Sequence, residues 1–157
     1  MRIIARLDIK NNILIKSTLS EGVKKVGDPI IFSKRYYNQG IDEILLINNT
    51  GSLYMTNLDP DLVKRIRNNK LVPIGAGGGI KSVDEAKKLI DSGADKVVIN
   101  SLIHTNRKEV EKLINFLGSA SIIGTIELNK LFNNKLYAFY EMNRENSHLN
   151  LEQALDL

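Results

Sequence analysis

The chain has 157 residues, 43% hydrophobic and 25% charged, enough apolar material for one globular domain with a real core. It holds no cysteine and only two histidines, His104 and His148, far apart in sequence, which excludes disulfides and thiolate chemistry and leaves no ligand set for a metal or other cofactor. The net charge of +4 is spread along amphipathic segments, no apolar run approaches the roughly 20 residues of a membrane span, and no signal-peptide pattern precedes Ile3, so the expectation is a cytoplasmic protein that binds neither nucleic acid nor membrane.

The first apolar run, Ile3 to Ile9, reads as a strand with Asp8 near its C-terminal end in "RLDIK". Asp28-Pro29 then opens a helix through Phe32, Tyr36 and Tyr37 that stops at Gly40, proline at the first turn and glycine past the end marking its limits. Strand-like runs follow at Glu43 to Asn48, Leu71 to Ala76, Lys96 to Asn100 and Ser121 to Glu127. Between the third and fourth, Ser82 caps a helix whose third position is Glu85 and which ends at Gly93; a further helix, Arg107 to Leu117, ends at Gly118. "YYNQGIDEILLIN" and "LIDSGADKVVIN" repeat one grammar of helix, glycine, aspartate, β run and asparagine, the signature of a duplicated βα unit. After the fifth strand, "NKLFNNKLYAFYEMN" reads as a small hairpin turning at Asn133-Asn134, and another helix begins near Leu149. Strands alternating with helices give an α/β fold with a parallel sheet; unit spacing alone leaves a TIM barrel and a doubly wound sheet both open.

The candidate chemistry sits at strand ends. In "PIGAGGGIKS" a β run passes into Gly77, Gly78 and Gly79 just before a helix start, where backbone N–H groups and the helix dipole can receive a phosphate; a tight turn is the plainer reading of the same glycines. Asn100 and Ser101 end the next strand and can complete one cradle, or Asn100 can simply cap a turn. Asp8 and Glu127, at the ends of the first and fifth strands, are the candidate acid and base, though lone acids there are commonly solvated. Lys10 and Lys16 can assist an anionic substrate or stay solvated.

The ordered set "RLDIK", "GDP", "YYNQGIDEILLI", "GGGI", "GADKVVINS" and "IIGTIELNK" resembles the N-terminal region of the imidazole glycerol phosphate synthase cyclase subunit family over essentially all 157 residues. The isomerase of the same histidine pathway shares the glycine-rich strand ends, but "RLDIK" and "GADKVVIN" favour the cyclase. The resemblance implies a TIM (β/α)8 barrel, of which residues 1–157 supply one partial domain of about five β/α units, and an ammonia-dependent cyclisation of a bis-phosphorylated substrate with a glutaminase partner. It assigns Asp8 and Glu127 to catalysis, Gly78, Gly79, Asn100, Ser101 and Lys16 to substrate phosphate, and Arg2, Glu43 and Lys96 to an ammonia gate.

Departures bear on activity. Arg6 replaces a usual cysteine, Asn48 a usual acid, and Glu127 a usual aspartate; positions 6 and 127 resemble cyclase-like paralogues of surface-sugar biosynthesis that help deliver ammonia to an amidotransferase. Five strands cannot close an eight-stranded barrel, so open edges are expected at the first and fifth strands. The isolated chain is then expected to be catalytically silent, and to self-associate or capture a complementary half barrel that covers strand positions such as Ile44, Val97 and Ile126.

Overall fold

The computed structural model describes residues 1–18, 22–69, 72–131 and 134–156, and its first element, β1 (Ile4–Lys10), turns straight into an antiparallel partner, β2 (Ile13–Thr18). Asn11 and Asn12 form the whole connection, with φ of 49° and 60°. A two-residue hairpin requires that left-handed pair, and asparagine tolerates it better than most residues. β3 (Gly22–Gly27) pairs antiparallel on the far side of β2.

The helices begin where their caps dictate. α1 (Pro29–Asn38) starts with Asp28 accepting a 2.8 Å bond from the Ile30 amide, and β4 (Glu43–Asn48) follows the glycine at position 40. The short α2 (Gly51–Tyr54) leads to α3 (Pro60–Arg67), capped by Asp59. Then come β5 (Ile74–Gly77), with Leu71 of the expected run outside the described residues, and α4 (Val83–Asp91), capped by Ser82 with Glu85 reaching back to the Lys81 amide. β6 (Lys96–Ile99), α5 (Ser101–Thr105), α6 (Arg107–Leu117) and β7 (Ile122–Gly124) complete this layer.

One sheet runs in the order β3-β2-β1-β4-β5-β6-β7, and from β1 to β7 its members are parallel sequential neighbours. That order is a barrel wall; a doubly wound sheet would reverse direction at a switch point. The register Leu7, Leu46, Ala76, Val97 turns one face toward the helices, where Leu62, Ile66, Leu89 and Leu113 bury it almost completely. The register Asp8, Ile47, Gly77, Val98 forms the other, concave face. The edge expected at the first strand is not fully open: β2 pairs with β1 from Asp8 to Lys10, so its C-terminal half is covered by the hairpin. β7 is an edge of this sheet, as expected for the fifth strand.

The region after β7 differs from the expectation. The run from Ser121 to Glu127 divides, with Thr125 donating its amide back to the Ile99 carbonyl and Glu127 opening β8 (Glu127–Lys130) in a separate antiparallel sheet. That sheet has the order β10-β9-β8, with β9 (Leu136–Tyr140) and β10 (Glu145–Asn150), so the expected small hairpin is two strands of three. Asn133 of its expected turn lies outside the described residues, while Asn134 has a left-handed φ of 65°. The closing helix, α7 (Leu151–Leu155), starts two residues later than expected because Asn150 and Gln153 form a capping box. Among the described residues no helix is long and apolar enough to cross a membrane, and no group of three or more acidic, histidine or cysteine side chains is placed to hold a metal ion.

Candidate functional site

Two backbone crossings shape the site. Gly78 (φ +96°) and Gly79 (φ +82°) follow β5 in a conformation L side chains rarely adopt, and a Cβ on Gly78 would overlap the Asn48 carbonyl oxygen. A Cβ on Gly51 would come within 2.7 Å of the Gly78 carbonyl, so the loops after β4 and β5 touch backbone to backbone. Asn48, where the resemblance leads to an acid, is buried and bonds the Thr56 carbonyl at 3.1 Å, stapling its own loop. Asn100 likewise spends its amide on the Thr125 carbonyl, at 2.8 Å.

These loops wall a cavity of about 420 Å³ at the C-terminal ends of the parallel strands. Of the residues singled out from the sequence, Gly78, Gly79, Asn100, Ser101 and Glu127 line it together. Asp8 does not, although it faces the same concave side: its carboxylate receives Arg6 Nε at 2.8 Å, and Arg6 rather than Asp8 reaches the cavity. Lys16 is exposed on β2, directly across from Lys24, and is not a lining residue. Arg2, Glu43 and Lys96 lie at the opposite end of the sheet; the buried Glu43 carboxylate meets Arg2 Nη2 at 2.6 Å and Lys96 Nζ at 3.3 Å.

Sequence reasoning missed the wall supplied by the second sheet. Glu141, in the turn between β9 and β10, lines the cavity, and Asn143 of the same turn donates its amide to Glu127 Oε2 at 2.6 Å. His104 of α5 stacks on Tyr140 of β9 with ring centroids 5.1 Å apart, joining that helix to the second sheet beside the site. Burial holds that imidazole below its ordinary pKa and both ring nitrogens lack a partner, so it serves as a neutral packing surface. Nothing in "YEMNRE" signals a site, because the turn gains its place only from the pairing of β8, β9 and β10.

Burial pushes the Glu127 carboxyl above its ordinary value of 4.5, against the Asn143 bond and the Arg6 charge, which both pull it down. A carboxyl that binds its proton more tightly when folded loses stability as pH rises from the unfolded value through the folded one. Glu127→Gln, which imitates the protonated form, should therefore match wild type in acid and become the more stable protein toward neutral pH. Urea midpoints from pH 4 to pH 8 check this; parallel pH profiles for the two proteins would show that the folded carboxyl titrates normally.

Residues 2–156 match the family model described as histidine biosynthesis protein. Among curated relatives, the imidazole glycerol phosphate synthase subunit HisF of Legionella pneumophila is 36% identical over 96% of this chain and 71% of its own length. The HisF subunits of Pyrococcus furiosus and Thermococcus onnurineus are 37% and 41% identical, over 88% and 80% of this chain. The chain matches 55% and 50% of those two proteins, about half their length.

Proposed function

Because this chain belongs to the histidine biosynthesis protein family, we propose that it carries the phosphate-gripping first half of a cyclase barrel of the imidazole glycerol phosphate synthase type. The observation that carries the reading is the convergence of Gly78, Gly79, Asn100 and Ser101 on one cavity at the C-terminal end of the sheet, where the loops after two successive strands meet the same space. In this reading Glu127 supplies the acid–base group and Asp8 its partner once released from Arg6. Arg2, Glu43 and Lys96 form the charged entry for ammonia from a glutaminase partner at the opposite end. Lys16 supports the phosphate only if the β2–β3 hairpin folds over the cavity. A complementary half barrel, or a second copy, provides the remaining grip on a bis-phosphorylated substrate, so the isolated chain turns over none.

One observation favours a second reading, a non-catalytic phosphate-binding or ammonia-channelling partner of a sugar-modifying amidotransferase. Arg6 ties up Asp8 at 2.8 Å and donates to Asn49 at 3.4 Å, leaving one of the two acids engaged.

The cyclase reading, and the second reading in its phosphate-binding form, require phosphate at the glycine cradle. Ser101 opens α5, where an added acid suits the helix start and leaves the fold intact, so Ser101→Asp should remain folded while setting a negative charge in the cradle. Inorganic phosphate in the millimolar range is expected to raise the thermal midpoint of wild type and to leave that of Ser101→Asp unmoved. An equal response from both proteins rules out the cradle.

A further inference from the structure

The cavity holds charge of both signs. Its lining includes the glycine loop with Lys81, which follows that loop in sequence, and the two acids Glu127 and Glu141. Arg6, a second lining cation, already serves Asp8 and Asn49. Glu141 is held there at a cost. Glu141, Met142 and Asn143 are three consecutive non-glycine residues with left-handed φ, at 54°, 58° and 63°, a conformation single residues visit and runs avoid. What keeps it is visible in the two residues after Glu141: Met142 is buried, and the Asn143 amide grips Glu127, so the strained turn ties the Glu141 segment to Glu127.

Paired carboxylates accept hydrogen bonds and repel anions. We infer that Glu141 is a specificity-determining residue which, with Glu127, reads the hydroxyl groups of a singly phosphorylated sugar whose phosphate lies at Gly78, Gly79 and Ser101. This rests on the phosphate reading of the cradle and adds the chemistry of the acids that line the same cavity. A second phosphate carried close by on the same small sugar meets the two acids and is rejected; one reaching well beyond them is not.

Calorimetric titration of the whole chain with ribose 5-phosphate, ribulose 1,5-bisphosphate and inorganic phosphate at one ionic strength tests it. Wild type should bind the monophosphate about tenfold more tightly than the bisphosphate. Glu141→Gln, which keeps the shape and removes the charge, should narrow that ratio to within about threefold, and Glu141→Lys should invert it, with inorganic phosphate binding changed little in either. Equal affinities for the two sugars in wild type, or a ratio that Glu141→Gln leaves intact, overturns the role of Glu141. Loss of inorganic phosphate binding in Ser101→Asp separates the two levels: where it occurs and the sugar ratio fails, the cradle stands and Glu141 does not. If none of the three ligands binds wild type, both are overturned.

Discussion

Gly77→Ala should destabilise the chain by about 3 kcal/mol or more, enough to remove a large part of a single domain's stability. Gly77 is the last residue of β5, flanked by β4 and β6, and it sits on the concave face opposite Val98. A Cβ there would overlap the Val98 carbonyl oxygen and come within 2.8 Å of both the Val98 carbonyl carbon and its Cβ. Two of these are backbone atoms of a paired strand and the third is fixed directly to it, so relief requires moving β6 and the Asn100-Ser101 side of the cavity with it. Gly40 is the control: its φ of +83° is also left-handed, but nothing lies within 4 Å of its added Cβ, so Gly40→Ala should cost only about 1 kcal/mol. Urea unfolding of the two variants separates crowding from backbone strain. Similar losses at positions 40 and 77 would mean that the strands move apart readily.

The parallel wall was legible because its strands advertise themselves twice, once as Ile- and Val-rich runs and once by their helix punctuation. Asp28, Ser82 and Gly93 mark helix limits that local chemistry alone enforces, and the structure keeps them. The glycine turn after β5 was legible for a similar reason, since only glycine fits where the Asn48 carbonyl meets Gly78. The β1–β2 hairpin was not anticipated, although Asn11-Asn12 between "LDIK" and "ILIK" is a two-residue turn signal; the lysines on both strands masked the alternation. Glu127 was placed at the end of the fifth strand because "SIIGTIE" has no breaker after Gly124, and only the Thr125 amide bond to Ile99 shows where one sheet stops. Glu141 had no local signal at all. Its position depends on three antiparallel strands choosing a register, which is a property of the assembled sheet.

The acidic pair expected from the sequence is therefore divided in the fold. Asp8 and Glu127 share the concave side, but Arg6 stands in the cavity wall and neutralises the first while drawing on the second. An arginine cannot be deprotonated in this range, so its influence is present at every working pH and is set by geometry alone. The cyclase reading needs a ligand oxygen to compete for that guanidinium and free Asp8, whereas the second reading leaves the pair intact, so the two readings differ at one ion pair.

At the other end of the sheet, Glu43→Gln should cost about 3 kcal/mol, because it removes charge from the centre of a cluster without changing its volume. Glu43 opens β4 with its side chain only 1% exposed, so its desolvation is already complete and is offset by the two cations it holds. They do not contribute alike. Arg2, 54% exposed, is screened by water, and its pair contributes about 0–1 kcal/mol. Lys96 is only 27% exposed, and without Glu43 its ammonium faces a half-covered interior with no counter-charge. The loss should thus appear on the Lys96 side. Lys96→Met alone should also destabilise, since it leaves Glu43 buried with one partner, whereas Glu43→Gln combined with Lys96→Met should recover more than half of the summed loss. A double-mutant cycle by urea denaturation reads this directly. Additive losses would mean that Lys96 reaches solvent once Glu43 is neutral, and the charged cluster would then be a surface feature and not a sealed end to the barrel wall.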